Sequence, residues 1–473
     1  MAKKGNKVEL VRGLGLTAAI MVSAGSMIGS GIFRKPATMA GQLLSPELLL
    51  LVWIVAGIIT FLGALSNAEV AGMIDETGGQ FVYFRKMYGD FTAYLYGWAG
   101  LAVIHSGSQA AIAYVFSEYL GYFIKYPQFS KEIEKFAVYI PLVGNIFPLQ
   151  EFGTKAVAIL CIGFLISVNY IGVVFGGIVQ TIVTIIKIAS IVLLSVLIIM
   201  YGNGSYNNVY NGFSIPHYNN SGMLVMIGLA LSGAFWAYDG WNNVTFISGE
   251  IKNPKRSVPL ALLFGTLIVI IVYVAINVAY LYILPVKEMA NSPLVAATAA
   301  EKVFGPTGAF LISLIVIIST FGAVNGSILS TTRIIYAVSK AKLFFKSMGK
   351  VHPRYRTPYI SLLVTGFWSS VLVLTGTFDI ITDYVMFATW LFYALGAYGV
   401  FILRKKMPDT HRPYKVWGYP YTPAIFVIFS LIYLFNTVIS DTSDAMMGLL
   451  LIILGLPIYI YWKLFTKRVS EDR

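Results

Sequence analysis

Long runs of continuously apolar residues, separated by short polar segments, dominate the chain. They fall near residues 15–33, 48–68, 93–124, 156–178, 180–201, 222–247, 259–284, 308–332, 358–376, 381–403, 422–440 and 445–462. Each is near the roughly 20 residues that a helix needs to cross a hydrocarbon core of about 30 Å. The apolar-out, polar-in alternation of a membrane barrel is absent. The pattern therefore predicts an all-α integral membrane protein with twelve transmembrane helices. No small-residue cleavage site follows the first run, so it is expected to stay as a helix and not to serve as a signal peptide. The longest polar segments, 125–153, 333–357 and 404–421, are short, which leaves the chemistry to the helices.

Composition agrees: of 473 residues, 57% are hydrophobic and 12% charged, about half the charged share of a soluble domain. The chain has 34 Lys+Arg against 21 Asp+Glu, and basic residues concentrate in cytoplasmic loops of membrane proteins. With the N-terminus inside, 25 of them, starting with Lys3, Lys4, Lys7 and Arg12, fall on the cytoplasmic side and eight outside, and Lys187 remains within a span. This asymmetry favours both termini in the cytoplasm, and the plasma (cytoplasmic) membrane is the expected location. Lys340, Lys342, Lys346, Lys350, Arg354 and Arg356 anchor a loop on this reading and suit anionic membrane lipid; nothing points to nucleic acid. The single cysteine, Cys161, excludes an intrachain disulfide framework and a cysteine-rich metal site.

Two spans carry breaks where an ordinary membrane helix holds Leu, Ile and Val. The first contains Gly25-Ser-Met-Ile-Gly29-Ser30-Gly31, and the sixth contains Trp236-Ala237-Tyr238-Asp239-Gly240-Trp241. Unwound backbone survives at membrane depth only where it lines a cavity or is buried in protein. Interrupted helices at corresponding positions of two halves are a sequence pointer to an inverted-repeat transporter and its binding site. The amides opening one half-helix suit a carboxylate and the carbonyls closing another suit an ammonium, so a free amino acid fits. For Gly25 and Gly29 alone, close helix packing explains the spacing equally well.

Several segments together resemble the L-type amino acid transporter family of the amino acid–polyamine–organocation superfamily, in its bacterial form. They are Gly29-Ser-Gly-Ile-Phe33, Ala237-Tyr-Asp-Gly-Trp-Asn242 with Gly249-Glu-Ile-Lys-Asn-Pro-Lys-Arg256, Val324-Asn-Gly-Ser327 with Arg333, Arg412-Pro-Tyr-Lys415 with Gly418, and the Gly78–Gly89 loop. The resemblance implies a single transporter domain, 1–473, built as a 5+5 inverted repeat, 12–201 and 222–403, with two further helices in 422–462. It implies a substrate site around Met27, Ile28, Ser30, Gly31, Trp236, Ala237 and Asp239. The carboxylate would lie near Ser30 and Gly31 and the ammonium near carbonyls of Met27, Trp236 and Asp239. Trp236 stands at the place of an aromatic gate. Lys187 stands in for the sodium ion of sodium-coupled relatives, bracing the fifth helix against Gly29 and its neighbours and against Ser327 or Ser330.

A lysine at a helix centre costs about 2.5–3.5 kcal/mol to insert, which marks Lys187 as functional, with snorkelling to the interface as the plain alternative. The expected activity is sodium-independent exchange of neutral amino acids by alternating access. A proton symporter using Lys187 and an amino acid sensor on a transporter fold remain as alternatives. Asp239 either meets a cationic substrate side chain or accepts hydrogen bonds from nearby backbone and hydroxyls. On the third span Ser108, with Ser106, Gln109 and His105, is positioned to line the cavity. Glu69 and Glu250 suit partners for basic loops. The loop 125–153 holds no cysteine, so no disulfide-linked heavy subunit is expected. No cofactor is expected, no histidine spacing suggests a metal site, and no nucleophile or paired-carboxylate motif suggests an enzyme.

Overall fold

The computed structural model describes residues 13–74, 76, 78–171, 177–210, 212, 220–355, 357–461 and 463. Lys3, Lys4, Lys7, Arg12, His217 and Arg356 lie outside the described residues, as do both chain ends. The twelve apolar runs form α1 (Leu16–Leu43), α2 (Pro46–Met73), α3 (Asp90–Leu120), α4 (Phe152–Ile171), α5 (Thr181–Tyr201), α6 (Gly222–Glu250), α7 (Pro254–Ile283), α8 (Val295–Lys340), α9 (Tyr359–Val373), α10 (Phe378–Lys406), α11 (Tyr421–Ser440) and α12 (Thr442–Tyr461). Eleven are long and apolar enough to cross a membrane, and α9 is a shorter apolar helix. The polar connections hold only short elements: a helix Gln80–Tyr88 after α2, and a small antiparallel hairpin, Val138–Ile140 with Gly144–Ile146, before α4.

The helices start and stop where local chemistry requires. Ser45 caps α2, its hydroxyl accepting from the Leu48 amide, with Pro46 in the first turn, where a missing N–H costs nothing. Asp441 caps α12 by accepting from the Asp444 amide. In α3 a π-turn, Gly100–Ile104, interrupts the regular spacing, and the carbonyl of Ala102 accepts from Trp368 Nε1 at 2.8 Å.

Packing follows a rule of five. The second half of α1 packs on α6, α2 on α7, α3 on α8 and α4 on α9. Other packings recur after the same shift: α1 with α5 and α6 with α10, α5 with α7 and α10 with α2, α5 with α8 and α10 with α3. Helices α11 and α12 both lie against α10, outside this pattern.

One carboxylate holds the end of α2 to the α10–α11 connection. Glu69 is 1% exposed. It accepts from Arg404 Nε (2.9 Å) and Nη2 (2.7 Å), Arg412 Nε (3.2 Å) and the Val416 amide (2.7 Å). The Arg404 guanidinium also stacks 3.6 Å over the Tyr419 ring. Glu69 is therefore a structural anchor for basic residues. Removing one member of a buried ion pair costs about 3–5 kcal/mol, so Glu69→Ala is expected to lower thermal stability in detergent strongly. Glu69→Gln, which keeps an acceptor, is expected to lower it less.

Candidate functional site

Both interruptions foreseen in the sequence are present, and they touch. Helix α1 ends its first half at Met27, turns extended at Ile28, and restarts at Gly31. The amides of Gly29 and Ser30 have no hydrogen-bond acceptor among the described residues, and a new helix leaves its opening amides unpaired as well. The first part of helix α6 ends at Tyr238, and its second part is a tight 3₁₀ segment, Asn243–Glu250. Between them Gly240 takes φ +93°, and a Cβ there would lie 2.8 Å from the Ser26 carbonyl oxygen. Only glycine meets both demands.

The α1 glycines divide by role. A Cβ on Gly25 would overlap the Thr184 hydroxyl of α5, and one on Gly31 would lie 2.5 Å from the Ala237 Cα. These two let helices approach. Gly29 faces open space, its nearest neighbours 4.0 Å away.

The breaks line a central cavity of about 470 Å³. Of the residues singled out in the sequence, Met27, Gly29, Ser30, Gly31, Ser108, Lys187, Trp236, Asp239, Ser327 and Ser330 all line it. Ile28 and Ala237 do not: they lie behind the wall, and their carbonyls are already used. Ile28 O accepts from Lys187 Nζ at 3.1 Å, and Ala237 O from the Tyr273 hydroxyl at 3.1 Å. Tyr273 also donates to Met27 O at 2.8 Å. A hydroxyl has one proton, so one α7 tyrosine serves two broken helices in turn.

Lys187 is 5% exposed and has no carboxylate within ion-pair reach among the described residues. It braces α5 against the α1 break through Ile28 O. Among the described residues Lys187 has no hydrogen bond to Ser327 or Ser330 of α8, and Ser330 Oγ donates instead to Gly326 O in its own helix. Serine in a helix interior commonly bonds back to the carbonyl four residues earlier. Asp239 likewise has no cation beside it among the described residues. Its Oδ1 accepts from the Tyr393 hydroxyl at 2.6 Å, and its carboxylate also meets the Gly240 amide. Ser108 donates to Ile104 O at 2.7 Å, and Gln109 is drawn away into bonds with Thr331 and Ser369. His105 lines the cavity with its ring edge-on to Phe246.

Trp236 joins the breaks. Its Nε1 donates to Ser30 Oγ at 3.2 Å, and its ring meets Phe378 edge-on at 5.9 Å. The cavity extends toward the face where α1 begins, lined there by Leu14, Ile247, Glu250 and Arg333. Beyond Trp236, toward the opposite face, lies a charged cluster outside the cavity lining. Lys35, 1% exposed, sits 2.8 Å from Asp379 Oδ1 and 3.7 Å from Asp383 Oδ1. Arg34 Nε is 3.3 Å from Glu118 Oε1.

These residues correct the charge reading. Arg34 and Lys35, apportioned to a loop by the sequence, lie inside α1, because the helix continues through Pro36 to Leu43. Lys155 is also buried in α4, donating to Phe147 O at 2.8 Å. Lys187 is thus one of three lysines buried within spans among the described residues. Among the described residues no group of three His, Cys, Asp or Glu side chains is arranged to hold a metal.

A membrane bundle with two apposed helix breaks around one cavity is the architecture of a transporter, and the comparisons place it further. The family model described as amino acid permease matches residues 14–456. The chain is 31% identical over 453 residues to the serine/threonine exchanger SteT of Bacillus subtilis, covering 95% of this chain and 96% of that protein. It is 31% identical over 471 residues to the human b(0,+)-type amino acid transporter 1, covering 98% and 91%. It is 31% identical over 476 residues to the human large neutral amino acids transporter small subunit 2, covering 99% and 84%. The chain belongs to the amino acid permease family, and it is a multi-pass membrane protein.

The glycine geometry makes a contrast that can be measured. Gly31→Ala forces a methyl into the Ala237 backbone and is expected to cost about 1–3 kcal/mol of stability. Gly29→Ala enters open space and is expected to leave the thermal midpoint unchanged.

Proposed function

We propose that the chain is a sodium-independent exchanger of neutral amino acids working by alternating access. The observation that carries this reading is the pairing of unsatisfied amides at Gly29 and Ser30 with a fixed lysine on the neighbouring carbonyl of Ile28. A substrate carboxylate takes the amides and the Ser30 hydroxyl, which Trp236 releases as it swings aside. The substrate ammonium takes Met27 O, which lines the cavity and is left free when Tyr273 donates to Ala237 O instead. Trp236 acts as the gate over this site. Lys187 occupies the place where a coupling cation would stabilise the α1 break, so no sodium is needed. Asp239, held by Tyr393 and the Gly240 amide, orders the α6 break. The Bacillus subtilis relative, named an exchanger of serine and threonine, directs the first choice of substrate to small hydroxylated amino acids.

The recurrence of packing after five helices supports an inverted repeat, 12–201 and 222–403, with 422–462 appended. Both termini lie in the cytoplasm of a cell whose plasma membrane holds the protein. The chain works without a disulfide-linked heavy subunit, since its one cysteine, Cys161, is buried in α4, and it carries out no covalent chemistry. A second reading rests on Lys187 having no carboxylate partner: such a lysine can release its proton, and transport would then be proton-coupled.

Purified protein in liposomes separates these readings when internal amino acid, sodium and pH are varied one at a time. Exchange is expected to require internal neutral amino acid and to be indifferent to sodium. Lys187→Ala is expected to reduce it severely, and Tyr273→Phe to weaken apparent affinity by about tenfold. Uptake driven by a proton gradient into liposomes lacking internal substrate, and lost in Lys187→Ala, would select the symporter. A requirement for sodium would overturn both readings.

A further inference from the structure

Tyr393 belongs to the walls of two cavities. It lines the central one, where its hydroxyl donates to Asp239, and also a second, small cavity of about 10 Å³. That volume is about the least that holds one water molecule. The small cavity lies between α2, α10, α11 and the helix Gln80–Tyr88, and its polar side chains are Asn67, Gln80 and Tyr393. Trp241 and Phe426 add aromatic rings to its wall.

The Gly78-Gly79 turn brings Gln80 there. Both glycines take positive φ, +124° and +51°, a backbone that only glycine adopts freely. A Cβ on Gly79 would lie 2.6 Å from the Thr245 hydroxyl in the second part of α6, so the turn is pressed against that segment. Gln80, 4% exposed, then opens its helix with the side chain turned inward. Its Oε1 lies 3.7 Å from where a Cβ on Gly396 of α10 would stand.

Asn67 points to a ligand in this space. It is 7% exposed, and its Nδ2 has no hydrogen-bond partner among the described residues. Buried donors in folded proteins are satisfied by protein groups or by ordered water. The protons fix how a water would sit. The Tyr393 hydroxyl gives its one proton to Asp239 Oδ1 at 2.6 Å, so its oxygen is left only with capacity to accept, whereas Asn67 Nδ2 can only donate. A water accepts from Asn67 and donates to Tyr393, and its second proton suits Gln80 Oε1.

We propose that the small cavity is a single-water site, and that Asn67 is, through this water, a positioning residue for Tyr393 and so for Asp239 at the α6 break. The bonds form a chain from Asn67 to water to Tyr393 to Asp239, in which each polarises the next. Gln80 joins the loop after α2 to the same chain. The water site stands on this geometry alone, while its consequence for substrate binding rests on the transport reading above.

Hydroxyl-radical footprinting tests the water. X-ray pulses convert bound water into hydroxyl radical, which oxidises the side chains beside it, and mass spectrometry locates the products. Phe426 and Trp241 are 1% and 4% exposed and line the small cavity but not the central one. Both are expected to be oxidised in the folded parent protein, and Asn67→Leu, which offers no donor, is expected to abolish this. An unoxidised Phe426 and Trp241 in the parent would overturn the site, whether or not Asn67→Leu folds. Binding of a small neutral amino acid tests the positioning role. Asn67→Leu is expected to weaken it about fivefold and to add nothing when Tyr393→Phe is already present. Asn67→Ser, which keeps a donor, is expected to bind as the parent does. An equal loss in both backgrounds, or a serine variant as weak as the leucine one, would show a packing defect and overturn the role of Asn67. A parent protein that binds no amino acid refutes the transport reading, while oxidation of Phe426 and Trp241 still decides the water.

Discussion

Everything in this molecule follows from a backbone that is unwound twice at membrane depth. A peptide group without a partner there costs several kcal/mol, so each break must be completed by groups brought from elsewhere. Lysine 187 from α5 reaches the carbonyl of Ile28, Tyr273 from α7 is shared by Met27 and Ala237, and Tyr393 from α10 holds Asp239. Trp236 closes the set by donating across the gap to Ser30. What these side chains leave without an acceptor, among the described residues, are the amides of Gly29 and Ser30.

The same constraint explains why small residues sit where they do. Gly31 and Gly240 allow the α1 and α6 backbones to meet, and Gly25 brings α5 close enough for Lys187 to reach its carbonyl. The site is held by helices that pack in pairs five apart.

Much of this was legible in the residues. Twelve apolar runs became twelve helices, because hydrophobic length is the dominant constraint in lipid. The two breaks were visible as glycine and serine where bulky aliphatics belong, and Lys187 as a charge inside an apolar run. Three things were not. Tyr273 and Tyr393 lie in ordinary apolar surroundings, and an aromatic ring gives no hint in sequence that its hydroxyl will reach another helix's backbone. Arg34-Lys35-Pro36 reads as a loop, yet the acids that make a buried lysine tolerable, Asp379 and Asp383, are more than 300 residues away. Ile28 and Ala237 sit within the right motifs but face away from the cavity, a matter of rotation that spacing does not determine.

The account stands most directly on binding of a free amino acid at the paired helix ends without sodium. Calorimetric titration of the purified protein with a small neutral amino acid, its N-acetyl derivative and its carboxamide, in sodium-free buffer, measures this. The account predicts saturable binding of the free amino acid, unchanged by added sodium, and loss of binding when either end is blocked. Binding that requires sodium, or blocked analogues that bind as well as the parent, would contradict it.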